Sequence, residues 1–124
     1  MNKHNKPVDV LFVNPPSPDN FVYIRDINRH GRSSWERMIW PQTNLAILAS
    51  VSNQLGLTTD VVDCIAENIN WDQYRKILEK TKPRYCFSNL ISVTFHNDSA
   101  ALYLSKKISN SVTVGMGPHL TANP

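Results

Sequence analysis

The chain has 124 residues, a formal net charge of +3, 41% hydrophobic residues and 19% charged residues. This is the size of one domain, long enough to bury roughly 65% of its unfolded surface in a packed core, and the composition excludes a disordered low-complexity chain. The basic residues Lys3, Lys6, Arg25, Arg29, Arg32 and Arg37 gather in the first third, but no RNA-binding aromatic motif is interleaved with them, so nucleic acid is a disfavoured partner.

The start, "MNKHNKPVDVLFVNPP", combines a basic beginning with a short apolar run. That run is too short for a signal sequence, and no later stretch approaches a membrane span, so the expected location is the cytoplasm. "VDVLFV" (8–13) is apolar at nearly every position, as in a central strand covered on both faces, and "NPPSP" stops it. From Asn14 to Trp40 no period is sustained; this is a long loop, of the kind that is usually functional or mobile. "WPQTNLAILASVSNQLG" reads as a helix with Pro41 in its first turn, Leu45, Leu48, Ala49, Ser52 and Leu55 inward, and Gly56 as its stop.

"LTTDVVDCI" is a second strand, ending near Asp63. "NWDQYRKILEKTKP" is a helix capped by Asn70, with Tyr74, Ile77 and Leu78 on its apolar face and Pro83 ending it. "RYCFSNLIS" is a third strand, and "FHNDSAALYLSKKISN" a third helix with Ala101, Leu104 and Ile108 inward and Lys106 and Lys107 at its C-terminal end. "SVTVGM" is a fourth strand. Strands and helices therefore alternate, which predicts an α/β fold: a doubly wound parallel sheet of flavodoxin-like or Rossmann-like type. Ligands in such sheets bind beyond the carboxyl ends of the strands, here "NPPSP", "DCIAEN", "LISVTF" and "GMGPH".

The chemistry is defined first by what is missing. The first turn, "NPPSPD", has no glycine, which removes the dinucleotide fingerprint, and no phosphate-binding loop of P-loop type occurs. Two prolines take amide donors out of the place where a flavodoxin would bind phosphate. Asn14 and Asn89 stand roughly where a phospho-receiver would need acids. Cys64 and Cys86 lie far apart in apolar runs and read as buried free thiols rather than a disulfide or a metal site. Glu67 and Asp98 form no catalytic pair with a nucleophile, and no Ser/His/Asp or Cys/His spacing stands out.

Gly115 and Gly117 could let the backbone approach a ligand, or could simply turn the chain. His119 could ligate a metal, donate a hydrogen bond, or sit at the surface. Ser88, Ser92 and Thr94 offer hydroxyls near the same crevice but suit turns equally, and Thr94 is placed to cap the helix that begins near Phe95. Asp63 could hold a ribose hydroxyl or an edge turn. Trp35, Trp40, Phe21 and Tyr23 could form an apolar cluster over the sheet or line a flat aromatic ligand.

In order, "VDVLFVNPP", an Arg-rich loop, "IWPQTNLAILASVSNQLG", "TTDVVDCIAE", "KPRYCFSNLISVTF" and "VTVGMGPHLTANP" resemble the N-terminal cobalamin-binding domain of cobalamin-dependent radical S-adenosylmethionine enzymes. In that family the first strand ends in Asn-Pro-Pro and the fourth in a Gly-Gly-Pro-His-x-Thr-x-x-Pro pattern. Gln42 replaces a common proline, Met116 separates the usual glycine pair, and the Asp-x-His-x-x-Gly signature of methionine-synthase-like domains is missing. The resemblance implies a cofactor site at Asn14, Pro15 and Pro16, at Asp63, at Ser92, Val93 and Thr94, and at Gly115, Met116, Gly117, Pro118 and His119, with no catalytic residue and no cobalt ligand assigned to this chain.

It further implies a larger protein. The family carries a downstream radical barrel with an iron–sulfur cluster and S-adenosylmethionine, and its cobalamin domain has a fifth strand and helix for which no sequence remains after Pro124. The expectation is a truncated N-terminal part, a single cobalamin-binding-like domain over 1–124, probed best as a module of a methyltransferase-like parent and not catalytic in isolation. The alternative is a non-enzymatic α/β assembly domain that has lost its ligand. A small stand-alone nucleotide-binding enzyme is disfavoured by the glycine-free first turn. An exposed sheet edge predicts self-association.

Overall fold

The computed structural model describes residues 3–19, 21–25, 32–34 (backbone only) and 38–124. Arg29, Trp35 and Arg37 lie outside the described residues. Among the described residues, six strands and four helices follow in order: β1 (Val10–Asn14), β2 (Val22–Ile24), β3 (Arg32–Ser34), α1 (Thr43–Gln54), β4 (Thr59–Asp63), α2 (Trp71–Thr81), β5 (Tyr85–Asn89), α3 (Phe95–Ser109), β6 (Val112–Met116) and α4 (Pro118–Ala122). A three-ten turn, Ser92–Thr94, leads into α3.

The main sheet is wholly parallel in the order β4-β1-β5-β6. This is the doubly wound α/β arrangement expected from the alternation of strands and helices. β1, the most apolar strand, lies inside the sheet and is buried at all five positions. The chain passes from β1 through α1 to β4 on one side, then through α2 to β5 on the other side of β1. The winding therefore reverses between β1 and β5, and the open ends of these two strands, Asn14 and Asn89, flank the switch point.

The two faces of the sheet are unequally covered. Alternate residues Leu11, Val13, Val62 and Cys86 point to the face packed by α2 and α3, where Tyr74, Leu78, Ala101 and Leu102 complete a continuous core. On the opposite face Val10 and Phe12 meet Leu45 and Ala49 of α1, with Leu48, Val61, Tyr85, Phe87 and Met116 partly buried beside them. Both cysteines are free and buried.

Local signals explain most boundaries. Asn70 caps α2 in a reciprocal box: its side chain accepts the Gln73 N–H at 2.9 Å, and Gln73 Oε1 accepts the Asn70 N–H at 2.9 Å. Lys82 then turns left-handed ahead of Pro83. Gly56, at φ +85°, follows α1 as expected. In α3, Ala101 is buried, Leu104 and Ile108 are partly buried, and Lys106 and Lys107 occupy the last turn.

Four expectations change. Pro41 lies before the helix, because Gln42 has non-helical angles and α1 starts at Thr43. Leu55 is 75% exposed rather than inward: it is the C-cap residue of α1, just beyond the last helical turn. The 14–40 segment contains an antiparallel ribbon, in which Val22 pairs with Ser34 and Ile24 with Arg32. The "PHLTA" stretch, to which the sequence pattern assigns no element, forms α4 with Pro118 at its first position, where a missing N–H costs nothing.

Candidate functional site

The carboxyl ends of β1 and β5 are joined by a buried polar network centred on Arg25. Arg25 follows β2 and is 1% exposed; its partner Asp98, in the first turn of α3, is fully buried. The Arg25 Nε donates to Asp98 Oδ1 at 3.0 Å. Its Nη2 sits 2.8 Å from the same oxygen but off the hydrogen-bonding axis, so that contact is held by charge alone. Nη1 donates to Asn14 Oδ1 at 3.0 Å and to the Pro15 carbonyl at 3.1 Å, and the Arg25 carbonyl accepts from Asn89 Nδ2 at 3.2 Å. One residue thus ties together both strands of the switch point, the Asn-Pro-Pro turn and α3: its side chain holds Asn14, Pro15 and Asp98, and its backbone carbonyl holds Asn89.

The surrounding residues complete that network. Asn14 Nδ2 donates to Asp63 Oδ1 at 2.8 Å, and the same Asp63 oxygen accepts the N–H groups of Ile65 and Ala66, each at 3.1 Å. Asp63 therefore organises its own turn. Thr94 is the residue before α3, yet its hydroxyl does not cap the helix; it donates to Asp98 Oδ2 at 2.7 Å. Asn97 Nδ2 donates to the Pro16 carbonyl at 2.8 Å. Asn14, Pro15, Pro16, Asp63 and Thr94 are thus brought together, around an arginine that has no local sequence signature.

A second cluster forms at the ends of β5 and β6. Ser92 Oγ and His119 Nδ1 are 2.8 Å apart, and the Phe95 ring lies against the His119 ring at 4.5 Å between centroids. No carboxylate partners this Ser–His pair among the described residues, so it lacks the third member of a hydrolytic triad. Val93 stands beside it, 59% exposed. The two glycines are accounted for by the chain itself. A Cβ on Gly117, which has φ +120°, would meet the Leu90 carbonyl oxygen at 2.9 Å, while one on Gly115 would meet the methyls of Leu120 and Leu90 at 2.9 and 3.0 Å. The Leu90 N–H in turn donates to the Met116 carbonyl at 2.8 Å.

The described cavity at the strand ends lies to one side of both clusters. It measures about 360 Å³ between the first turn and the β4–α2 connection, with Pro16, Phe21, Ile65, Ile69 and Trp71 among its walls. Of the residues expected around a cofactor, only Pro16 lines it. Tyr23 donates to Asp19 at 2.9 Å nearby. Burial pushes the Asp19 carboxyl up, but hydrogen bonds from Phe21, Tyr23 and Ser17 outweigh it and hold the group below the usual range. The Cys64 thiol is pushed far up by burial and then by the Asp63 charge, and Cys86 is pushed up to about 11 by burial, so neither is a ready nucleophile.

Sequence reasoning also missed His4. It is 6% exposed; Nδ1 lies 2.6 Å from Asp60 Oδ2 and Nε2 lies 2.8 Å from Glu67 Oε2, which pins the N-terminal segment to β4 and the following turn. Beside it a second cavity of about 270 Å³ opens toward Lys76 and Lys80 of α2. Among the described residues, no group of three or more His, Cys, Asp or Glu side chains is arranged to hold a metal ion, and no helix is long and apolar enough to cross a membrane.

Comparison with protein-family models, curated proteins and solved structures gives no significant match in any of the three. Whether the residues fit a cobalamin therefore turns on the site itself. Gln42 Oε1 and Asn44 Oδ1, at the start of α1 and on the same edge as the strand ends, are buried without a hydrogen-bond partner among the described residues. Two orphaned acceptors suit a ligand bearing amide N–H donors, as a corrin does. Against that, Arg25 already occupies hydrogen-bonding groups of Asn14, Pro15 and Asn89 at the open ends of β1 and β5.

Proposed function

We propose that this chain is a cobalamin-binding module of a radical S-adenosylmethionine enzyme of methyltransferase-like type, without turnover of its own. The observation that carries the reading is the convergence of the motifs: Asn14 to Pro16, Ser92 to Thr94 and Gly115 to His119 come from distant stretches of sequence and meet on one edge of a parallel sheet, where such folds bind ligands. The orphaned acceptors of Gln42 and Asn44 on that edge support it. Bound cobalamin supplies a cobalt able to carry a methyl group. The chain's part is to bind the corrin, orient it toward a downstream barrel, and exclude water from one face.

The test is retention of corrin absorbance after hydroxocobalamin is mixed with the folded chain and the mixture is desalted. Retention that falls in a Gln42→Leu/Asn44→Leu variant supports the reading. No retention, by this chain or by any longer product carrying it, sinks it.

A second reading is favoured by a specific observation. Arg25 occupies the switch-point crevice, and the glycines serve packing against Leu90, which is what an assembly domain without a ligand needs. Loss of corrin retention combined with persistent self-association would select it.

A further inference from the structure

The two edges of the main sheet differ in chemistry. At one edge, β4 carries Asp60 and Asp63, and the His4 contact draws the N-terminal segment against it. At the other edge, β6 has no charge and no proline between Val112 and Met116, and among the described residues it pairs on one side only. A neutral edge of five residues that no described strand pairs is a template for another strand.

The ladder fixes which groups are offered. Val112 N–H donates to the Arg84 carbonyl at 2.9 Å and the Met116 carbonyl accepts the Leu90 N–H, so Val112, Val114 and Met116 spend their backbone groups on β5. In a parallel pair the residues alternate, and Thr113 and Gly115 therefore turn their N–H and C=O groups outward. The side chains of Val112, Val114 and Met116 share the sheet face with Tyr85 and Phe87. α1 packs mainly over β1 and β4 on that face, and Val112 is 56% exposed.

We propose that a second copy of this chain pairs antiparallel along β6, with Val114 on the twofold axis. The offered groups match that arrangement without adjustment. Thr113 and the partner's Gly115 form one hydrogen-bonded pair, Gly115 and the partner's Thr113 the other, and the two Val114 residues form the non-hydrogen-bonded pair between them, with Cα atoms about 4.5 Å apart. Val112 then faces the partner's Met116 on the apolar face beyond α1. Because the same patch meets itself, the association closes at two copies instead of growing into a fibre. No like charges oppose one another across it. The inference is independent of any ligand, since it uses neither Arg25 nor the Ser92–His119 pair.

Light scattering on the 124-residue chain should give twice its mass of 14.1 kDa. Val114→Lys, at a position that is only partly buried, should shift the chain to the monomer mass with its circular dichroism unchanged. Val114→Cys should become covalently dimeric under mild oxidation, because cross-strand non-hydrogen-bonded pairs approach closely enough for a disulfide and both native thiols are buried. Val112→Cys should not, since its opposite number is Met116. A monomeric wild-type chain overturns the proposal. So does a dimer that survives Val114→Lys, or one in which Val112→Cys crosslinks as readily as Val114→Cys.

Discussion

Removing one member of the Arg25–Asp98 pair should cost far more than removing both. Both side chains are essentially inaccessible to water. In Asp98→Asn the guanidinium keeps its contacts to Asn14 and Pro15 but loses its counter-charge, and Arg25→Met leaves the carboxylate with the neutral donors Thr94, Asn97 and the Ile91 N–H and no cation. Breaking a buried pair in this way costs about 3–5 kcal/mol, against a total stability of about 5–15 kcal/mol for a domain. At a urea slope of about 2 kcal/mol per molar, each single variant should lower the unfolding midpoint by about 2 M. The double variant Arg25→Met/Asp98→Asn removes both charges, and Thr94 can still donate to the amide oxygen, so it should lie closer to wild type than either single. The cycle should return a coupling of at least about 2 kcal/mol. Urea titrations followed by circular dichroism measure all four proteins. Single variants within about 1 kcal/mol of wild type, or strict additivity, would refute the account of a desolvated pair bridging the switch point.

Other outcomes follow from the same structure. The Cys86 thiol is raised from 9.0 to about 11 in the folded chain. An acid whose folded value is raised keeps its proton while the unfolded chain loses it, so its contribution is fully present below about pH 9 and is lost as pH rises toward 11. For that shift the loss is on the order of 3 kcal/mol. Cys86→Ala should flatten the alkaline decline without abolishing it, because Cys64 and Tyr74 are pushed the same way by burial; parallel declines for the two proteins would contradict this. Among the glycines, Gly117→Ala should be the costlier change, above about 1 kcal/mol, since it meets backbone at positive φ, whereas Gly115→Ala meets leucine methyls that can rotate. Thermal melts that reverse this order would count against the packing role given to Gly117.

What was legible in the sequence is local. β1, β4, β5 and β6 announced themselves as short apolar runs, and Asn70 with Gln73 gave the start of α2, because strands and caps are written in adjacent residues. The burial of α1 was only half legible. Its spacing shows an apolar face, but Ile47, Val51 and Leu55 are exposed because no described helix lies beside α1 on that side of the sheet, which no periodicity reports. Arg25 was invisible for a different reason: its partner is 73 residues away and neither residue stands in a motif. The Asn-Pro-Pro and Gly-x-Gly-Pro-His signals did locate the strand-end clusters, yet not what each side chain does there. Asp63 and Thr94 turn out to serve the chain's own turns and ion pair, and Gly115 and Gly117 make room for Leu90.

The unequal layering also sets how the molecule breathes. α1 contributes only Leu45 and Ala49 to full burial, has no side-chain cap, and has no acidic residue in its first turn or basic one in its last. α2 has its reciprocal box, and α3 has Asp98 and two lysines at the matching ends. Local opening proceeds through the least secured element, so α1 is the part that detaches while the α2–α3 side stays folded. In hydrogen-exchange terms, its amides should lose protection well before those of β1 and β5, which divides this small domain into a durable half and a provisional one. The provisional half includes the start of α1, where Gln42 Oε1 and Asn44 Oδ1 have no hydrogen-bond partner among the described residues, so any ligand accepted there would act as a fastener for the weaker layer.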